Sequence, residues 1–335
     1  MTRFFLLFVA VITAPLAAAP FTVEQTGRGY SRLADAVVAI GDGEGTIRIA
    51  PGIYGDCAVQ TGGKISYRAE KPLTAIFDGG ICEGKAVLVL RGRGAAVDGL
   101  VFRNLRVPDG NGAGIRIEKG PLSVNRSVFR DSEQGILGGG DDSAADVRIT
   151  ASTFSGLGRC DRDLPCAHSI YLSAFRSLTV RRSRFEKGRG GHYLKSRSAR
   201  IDVSDCSFDD SRGRATNYMI DLPEGATGRI ARNIFVQGAD KENHAAFIAI
   251  AAEARRNSSA GLIVADNRAT QVRAAGWPSA LVADWSNSPK RLLRNQVGKR
   301  IEPVLPVDAG PPSFADKVKG RLRDYAARLA VKITG

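Results

Sequence analysis

Apolar and polar residues alternate with a period of two along most of this chain, in short runs separated by Gly, Asp and Ser. Runs of that kind are strands with one buried face. Across 146–235 one phrase recurs. Val147-Arg-Ile-Thr-Ala-Ser-Thr-Phe154 is answered by Leu178-Thr-Val-Arg-Arg-Ser-Arg-Phe185, Ile201-Asp-Val-Ser-Asp-Cys-Ser-Phe208 and Gly228-Arg-Ile-Ala-Arg-Asn-Ile-Phe235. Most copies carry Ser, Cys or Asn two places before the Phe. The Phe positions are 31, 23 and 27 residues apart, and Phe129 and Phe102 continue the series upstream at 25 and 27. Strand repeats of this size predict a β-solenoid, in which each coil buries its apolar face against the next. The Ser, Cys and Asn positions are expected to point inward and stack from coil to coil, so they are structural.

The ends of the array read differently. Leu33, Val37 and Ile40 lie at helical spacing after Ser31, a plausible N-cap, and Gly41 stops the run. Next comes Gly45-Thr-Ile-Arg-Ile-Ala-Pro-Gly-Ile-Tyr54. A short helix leading into an "Ile-x-Ile-Ala-Pro-Gly-x-Tyr" phrase resembles the start of the right-handed parallel β-helix proteins of the pectate-lyase-like superfamily. The resemblance covers roughly residues 30 to 300. It implies an all-β fold, a right-handed parallel β-helix solenoid, closed at its first coil by the short helix. Pro303 to Pro312 is Pro-rich and reads as a linker or edge segment. Phe314, Val318, Leu322, Tyr325 and Leu329 then lie on one face of an amphipathic helix rich in Lys and Arg. That helix is expected to pack on the solenoid, while residues 313–332 could also touch an anionic envelope surface.

The first residues set the compartment. Arg3, the apolar run 4–12 and the small residues of 14–19 form a secretory signal. The expected organisation is a signal peptide at 1–19, the β-helix at 20–300 and a C-terminal linker and helix at 301–335. The protein is expected to be exported, to the periplasm or beyond. The formal net charge of +14 then points to an anionic partner, an acidic polysaccharide before others. No nucleic acid is expected, since the chain carries no recognisable nucleic-acid-binding motif. In an oxidising compartment Cys160 and Cys166 are expected to close a short disulfide loop. Cys57 and Cys82, one repeat apart, admit a second bridge. Cys206 fills a Ser or Asn position and is read as a buried thiol. None of the cysteines has zinc-site spacing with His, so no thiolate metal site is expected.

Candidate chemistry gathers in the strand before each repeat phrase. His168, His192 and Tyr218 lie ten, nine and ten residues ahead of Leu178, Ile201 and Gly228. Equal offsets place two of the three histidines on neighbouring coils, about 4.8 Å apart. The same count aligns Tyr171, Lys195 and Asp221 on the outward face, with Ser173 and Arg197 two residues further along it. His168 and His192 share the inward parity, but a turn at the strand start can release them to the surface. The catalytic set expected is Lys195, His192, His168, Arg197, Tyr218 and Asp221. Tyr171, Ser173, Tyr193, Glu224, Arg214 and His244 are read as flanking substrate-binding residues.

Cleaving a uronate polysaccharide by β-elimination needs the carboxylate neutralised, the C5 proton removed and the leaving oxygen protonated. Lys or Arg suits the first task, and His, Tyr or a Lys of depressed pKa the others. Arg197 and protonated His192 would depress Lys195, and Asp221 would raise it. Similar Lys/Arg pairs serve in chondroitinase-B-like and alginate lyases, which the chain resembles in this respect. A lyase is therefore the expected function. A C5-epimerase, a glycoside hydrolase and a non-catalytic polysaccharide or envelope binder are the alternatives. No acidic cluster beside Lys195 marks a metal site, so calcium is left open and no other cofactor is implied.

Overall fold

The computed structural model describes residues 19–140 and 142–305. The signal peptide expected at 1–19 (Ala19 apart) and the amphipathic helix expected at 313–329 lie outside the described residues. Within them the chain winds into a parallel β-solenoid of about nine turns, consistent with a right-handed parallel β-helix. Each coil gives one strand to each of three sheets in the same order. The first sheet has twelve strands and the other two have ten each. Pairing is parallel and in register, so like residues stack: Val147, Leu178, Ile201 and Gly228 pair in turn on the first sheet.

The recurring phrase spans one corner, from the first sheet to the second. Its Phe lies inside the second sheet, and Phe102, Phe129, Phe154, Phe185, Phe208 and Phe235 form a column. Successive rings are 4.9, 4.9, 4.9, 4.6 and 5.0 Å apart and all are buried. The corner itself needs a left-handed residue. Arg126, Ala151, Arg182, Asp205, Arg232, Asp266 and Arg294 all take φ between 46° and 59° there. Without glycine that conformation costs about 1–2 kcal/mol each. It also turns the next backbone N–H out of the strand ladder. The following residue in the sequence supplies the missing partner to its neighbour one coil back. Ser152 Oγ accepts from Ser127 N at 3.2 Å, and Asn267 Oδ1 accepts from Asn233 N at 3.0 Å. Asn267 Nδ2 also donates to the Ile230 carbonyl at 2.9 Å. The inward stacking read from the sequence is what the fold contains, and its reason is backbone satisfaction at the corner.

Asn267→Ala is therefore expected to leave the Asn233 backbone N–H buried without its partner. The loss should be about 1–3 kcal/mol for that orphaned group. Urea unfolding of the purified variant measures it.

The first coil is closed by the helix Leu33–Ile40, with Leu33, Ala36 and Val37 buried. Its cap departs from the sequence expectation. Arg32, not Ser31, occupies the N-cap, and Arg32 makes no side-chain cap bond. Asp56 instead accepts from Leu33 N at 2.8 Å. Asp56 follows the first second-sheet strand, so a partner distant in sequence replaces the local one. Strands Phe21–Val23 and Arg28–Tyr30 extend the first sheet in antiparallel fashion. Both disulfides are present, Cys57–Cys82 and Cys160–Cys166, and Cys206 is free and buried. Burial pushes the Cys206 thiol up to about 12, so it acts as packing and not as a nucleophile.

Candidate active site on the third sheet

Strands Ile170–Leu172, Leu194–Ser196 and Ile220–Leu222 are successive rungs of the third sheet. Ile170, Leu172, Leu194, Ile220 and Leu222 face the core and are fully buried. Parity then sends Tyr171, Lys195 and Asp221 outward, and they pair in a row. Outward does not mean exposed here. Lys195 is 8% accessible and Asp221 3%.

The imidazoles are released to the same side, and Gly191 leaves the room they need to stack. Gly191, just before His192, has φ 61°, and a Cβ there would meet His168 Nδ1 at 2.7 Å. Without that Cβ the His168 and His192 rings stack at 4.9 Å, inclined by 22°. His168 Nδ1 accepts from the His192 backbone N–H at 2.9 Å, which leaves its proton on Nε2. Tyr218 stacks on the other face of His192 at 5.7 Å, and His168 meets Tyr171 edge-on at 5.5 Å. His192 Nε2 lies 3.3 Å from Asp221 Oδ2. His192 Nδ1 and Asp221 Oδ1 are buried and make no hydrogen bond.

Charge is arranged around one carboxylate. Glu253 Oε1 lies 2.7 Å from Lys195 Nζ, and its Oε2 lies 2.5 Å from an Arg197 terminal nitrogen. Lys195 Nζ is also 3.3 Å from Asp221 Oδ2. Arg197 donates from Nε to the Tyr171 hydroxyl at 2.9 Å and pairs with Glu224 at 2.6 Å. Burial pushes the Lys195 ammonium down, but Asp221 and Glu253 outweigh it and the net pKa is raised. The depressed Lys195 weighed from the sequence is thus corrected: Lys195 stays charged. Burial favours a neutral Glu253, yet Lys195 and Arg197 hold its carboxyl down at about 2. Burial raises Asp221 against the opposing pull of Lys195. It also raises the Tyr218 phenol to about 12, so that group keeps its proton.

Both histidines are neutral in the fold. Burial holds His168 and His192 well below 6.5, reinforced at His168 by His192 and at both by Lys195. In the unfolded chain they take up protons near about 6.5. Below that pH the unfolded state binds more protons than the fold, so stability drops as pH falls. Glu253 adds to the loss only lower down, as pH falls from about 4.5 towards 2. The urea midpoint is expected to decline between about pH 7 and 5, and more gently in a His168→Gln, His192→Gln variant.

Three flanking residues expected from the sequence fall elsewhere. Tyr193 stands one place before its strand, at a corner where the period of two no longer holds. Its ring turns into the core against Phe185 at 6.5 Å, and its hydroxyl donates to Asp210 at 2.7 Å. His244 lies against Trp277 at 4.6 Å. Arg214 is exposed, with its backbone N–H bonded to Gly188. Ser173 is on the row but donates to the Gly138 carbonyl at 3.0 Å, tying two coils together. Glu224 joins the cluster as expected. Glu253 was not legible, because it follows the strand Ala246–Ile250 on a connection longer than those at the same place in the coils before it.

The residues do not suit calcium. The carboxylates of Glu224 and Glu253 are engaged by Arg197 and Lys195, and Asp221 by Lys195. Among the described residues the one close group of three metal-ligand types is Cys160, Cys166 and Glu242, and its sulfurs are joined in a disulfide. A groove of about 390 Å³ lies on the first sheet, floored by Thr46, Ser66, Ala96 and Ser123. It holds no imidazole and sits on a different face from Lys195.

No family model matches the chain, and no curated protein matches it. Among solved structures it is similar to ORF18 of Geobacillus virus E2, at 10% identity and a TM-score of 0.45. The match covers 78% of this chain and 56% of that one, so the chain spans just over half of that protein's length.

Proposed function

We propose that this protein is an exported enzyme of the pectate-lyase-like β-helix type that cleaves a uronate-containing polysaccharide by β-elimination. The observation that carries the reading is a carboxylate, that of Glu253, clasped between Lys195 and Arg197 beside a neutral imidazole. A uronate carboxylate in that clasp has its charge neutralised by two cations, which acidifies the adjacent C5–H. His192, the neutral imidazole beside the clasp, takes the C5 proton. Asp221, 3.3 Å from Nε2, steadies the imidazolium that forms. The C–H electron pair becomes the C4–C5 double bond, and the C4–O bond breaks. Tyr218, protonated and stacked on His192, returns a proton to the leaving oxygen. The two disulfides are consistent with an oxidising compartment, which supports export.

The test is the near-ultraviolet absorbance of the unsaturated uronate product. Purified protein is incubated with polygalacturonate, alginate, hyaluronan and chondroitin, with and without chelator. A rise on one of them that persists with chelator supports the reading. Exchange of C5 hydrogen with deuterated water without chain cleavage would make the protein an epimerase instead. Binding with neither product nor exchange would make it a non-catalytic binder.

A further inference from the structure

We infer that Glu253 is a built-in stand-in for the substrate's carboxylate, which an incoming uronate must displace from the Lys195–Arg197 clasp. This rests on the reading of that clasp as the uronate site. The geometry is that of a bound ligand. One oxygen meets Lys195 Nζ at 2.7 Å and the other meets Arg197 at 2.5 Å, as a bridging carboxylate would. The other two acidic neighbours are placed differently. Asp221 and Glu224 side chains are 4% and 7% accessible and belong to the wall, whereas the Glu253 side chain is 32% accessible and lies on the outside.

The loop that carries Glu253 is anchored so that only the side chain has to leave. Glu253 N and Ala254 N both donate to the Pro223 carbonyl at 2.9 Å. Asn257 Nδ2 donates to the carbonyls of Arg197 and Gly225 at 3.1 Å each. The backbone is thus pinned at both ends of a short span, and rotation of one flexible side chain empties the clasp. In the ligand-free protein Glu253 gives each cation a second carboxylate, beside Asp221 at Lys195 and Glu224 at Arg197. It also selects ligands. A neutral sugar offers nothing to replace Glu253, while a uronate restores both ion pairs. An internal competitor of this kind scales the affinity of every carboxylate ligand by the fraction of time that the site stands open.

The experiment compares the full chain, E253Q and E224Q by isothermal titration. The probes are trigalacturonate, trimannuronate and a hyaluronan tetrasaccharide, with maltotriose as the neutral sugar. E253Q is expected to bind at least one uronate oligomer about tenfold or more tightly than the parent, with maltotriose unchanged. E224Q removes the same charge from behind Arg197 and is expected to change affinity less than about threefold. An equal gain in both variants would mean that net charge alone is responsible and would overturn the proposal. So would a gain below tenfold on every uronate probe, including no binding at all. The two readings fail separately. Unsaturated product without a gain in E253Q would sink the stand-in and keep the elimination. A gain without product on any polymer would do the reverse.

Discussion

Under the proposed elimination, His192→Ala is expected to lower kcat/KM by about 10²–10⁴-fold, the usual contribution of a positioned general base. The fall should lie in kcat, with KM little changed, because the imidazole acts on a proton and not on the bound sugar. Lys195→Ala and Arg197→Ala should instead raise KM as well, since the ground-state carboxylate rests on both. Loss of Lys195 also leaves Asp221, 3% accessible, without its cation. That variant therefore needs a thermal unfolding trace beside each rate, and His192→Ala is the cleaner probe. The pH profile gives an independent sign. His192 is held well below 6.5 by burial, so the acid limb of kcat/KM should lie below that value. Tyr218 keeps its proton up to about 12, so activity should hold a plateau from neutral pH upward. A His192→Ala enzyme within threefold of the parent would remove His192 from the mechanism.

Asp210→Ala is expected to cost about 3–5 kcal/mol of stability, because it leaves a buried ammonium unpaired. Asp210 and Lys241 face each other at 3.2 Å across neighbouring coils, with side chains 0% and 1% accessible. The carboxylate also accepts from the Tyr193 hydroxyl at 2.7 Å and Thr216 Oγ1 at 2.9 Å. Removing it takes away the acceptor of both hydroxyls and, among the described residues, the one anion beside Lys241 at this distance. Lys241 then keeps only the neutral Thr216 hydroxyl and Asn217 carbonyl. The midpoint of thermal unfolding should fall by on the order of 10 °C. Burial already pushes Lys241 below its ordinary pKa, with Asp210 pulling the other way. In the variant that pull is gone, so the folded ammonium should shed its proton more readily than the unfolded one. The deficit should then shrink as pH rises towards 10.5, the ordinary lysine value. Adding Lys241→Met to Asp210→Ala should restore part of the loss, since the bare charge goes with it. If the double variant is less stable than the single one, the pair is not the reason for the loss.

Much of the architecture was legible because it is periodic. A period of two, a repeat of 23 to 31 residues and a Phe at a constant place define coils, rungs and facing sides without a coordinate. Those same counts brought Tyr171, Lys195 and Asp221 into one row, since equal offsets become register when coils stack in parallel. His168 and His192 were placed on adjacent rungs for the same reason. Their side of the sheet was open to either reading, and the turns before their strands decided it, with Gly191 at φ 61° making room for the pair.

Where the chain turns, counting loses its force. Tyr193 sits one residue from His192 and one from Leu194, yet a corner sends it inward to Asp210. The cap of the first helix comes from Asp56 and the carboxylate in the clasp from Glu253, 58 residues after Lys195. The charge of Lys195 was likewise undecided by its own sequence neighbours, because it depends on how close Asp221 and Glu253 come in a desolvated place. The sequence by itself determined which residues share a coil position and a face, since strand alternation and repeat length are local and additive. Only the tertiary structure decided which side chains the corners turn inward and which distant carboxylates meet the cations, since both follow from how separate coils pack and exclude water.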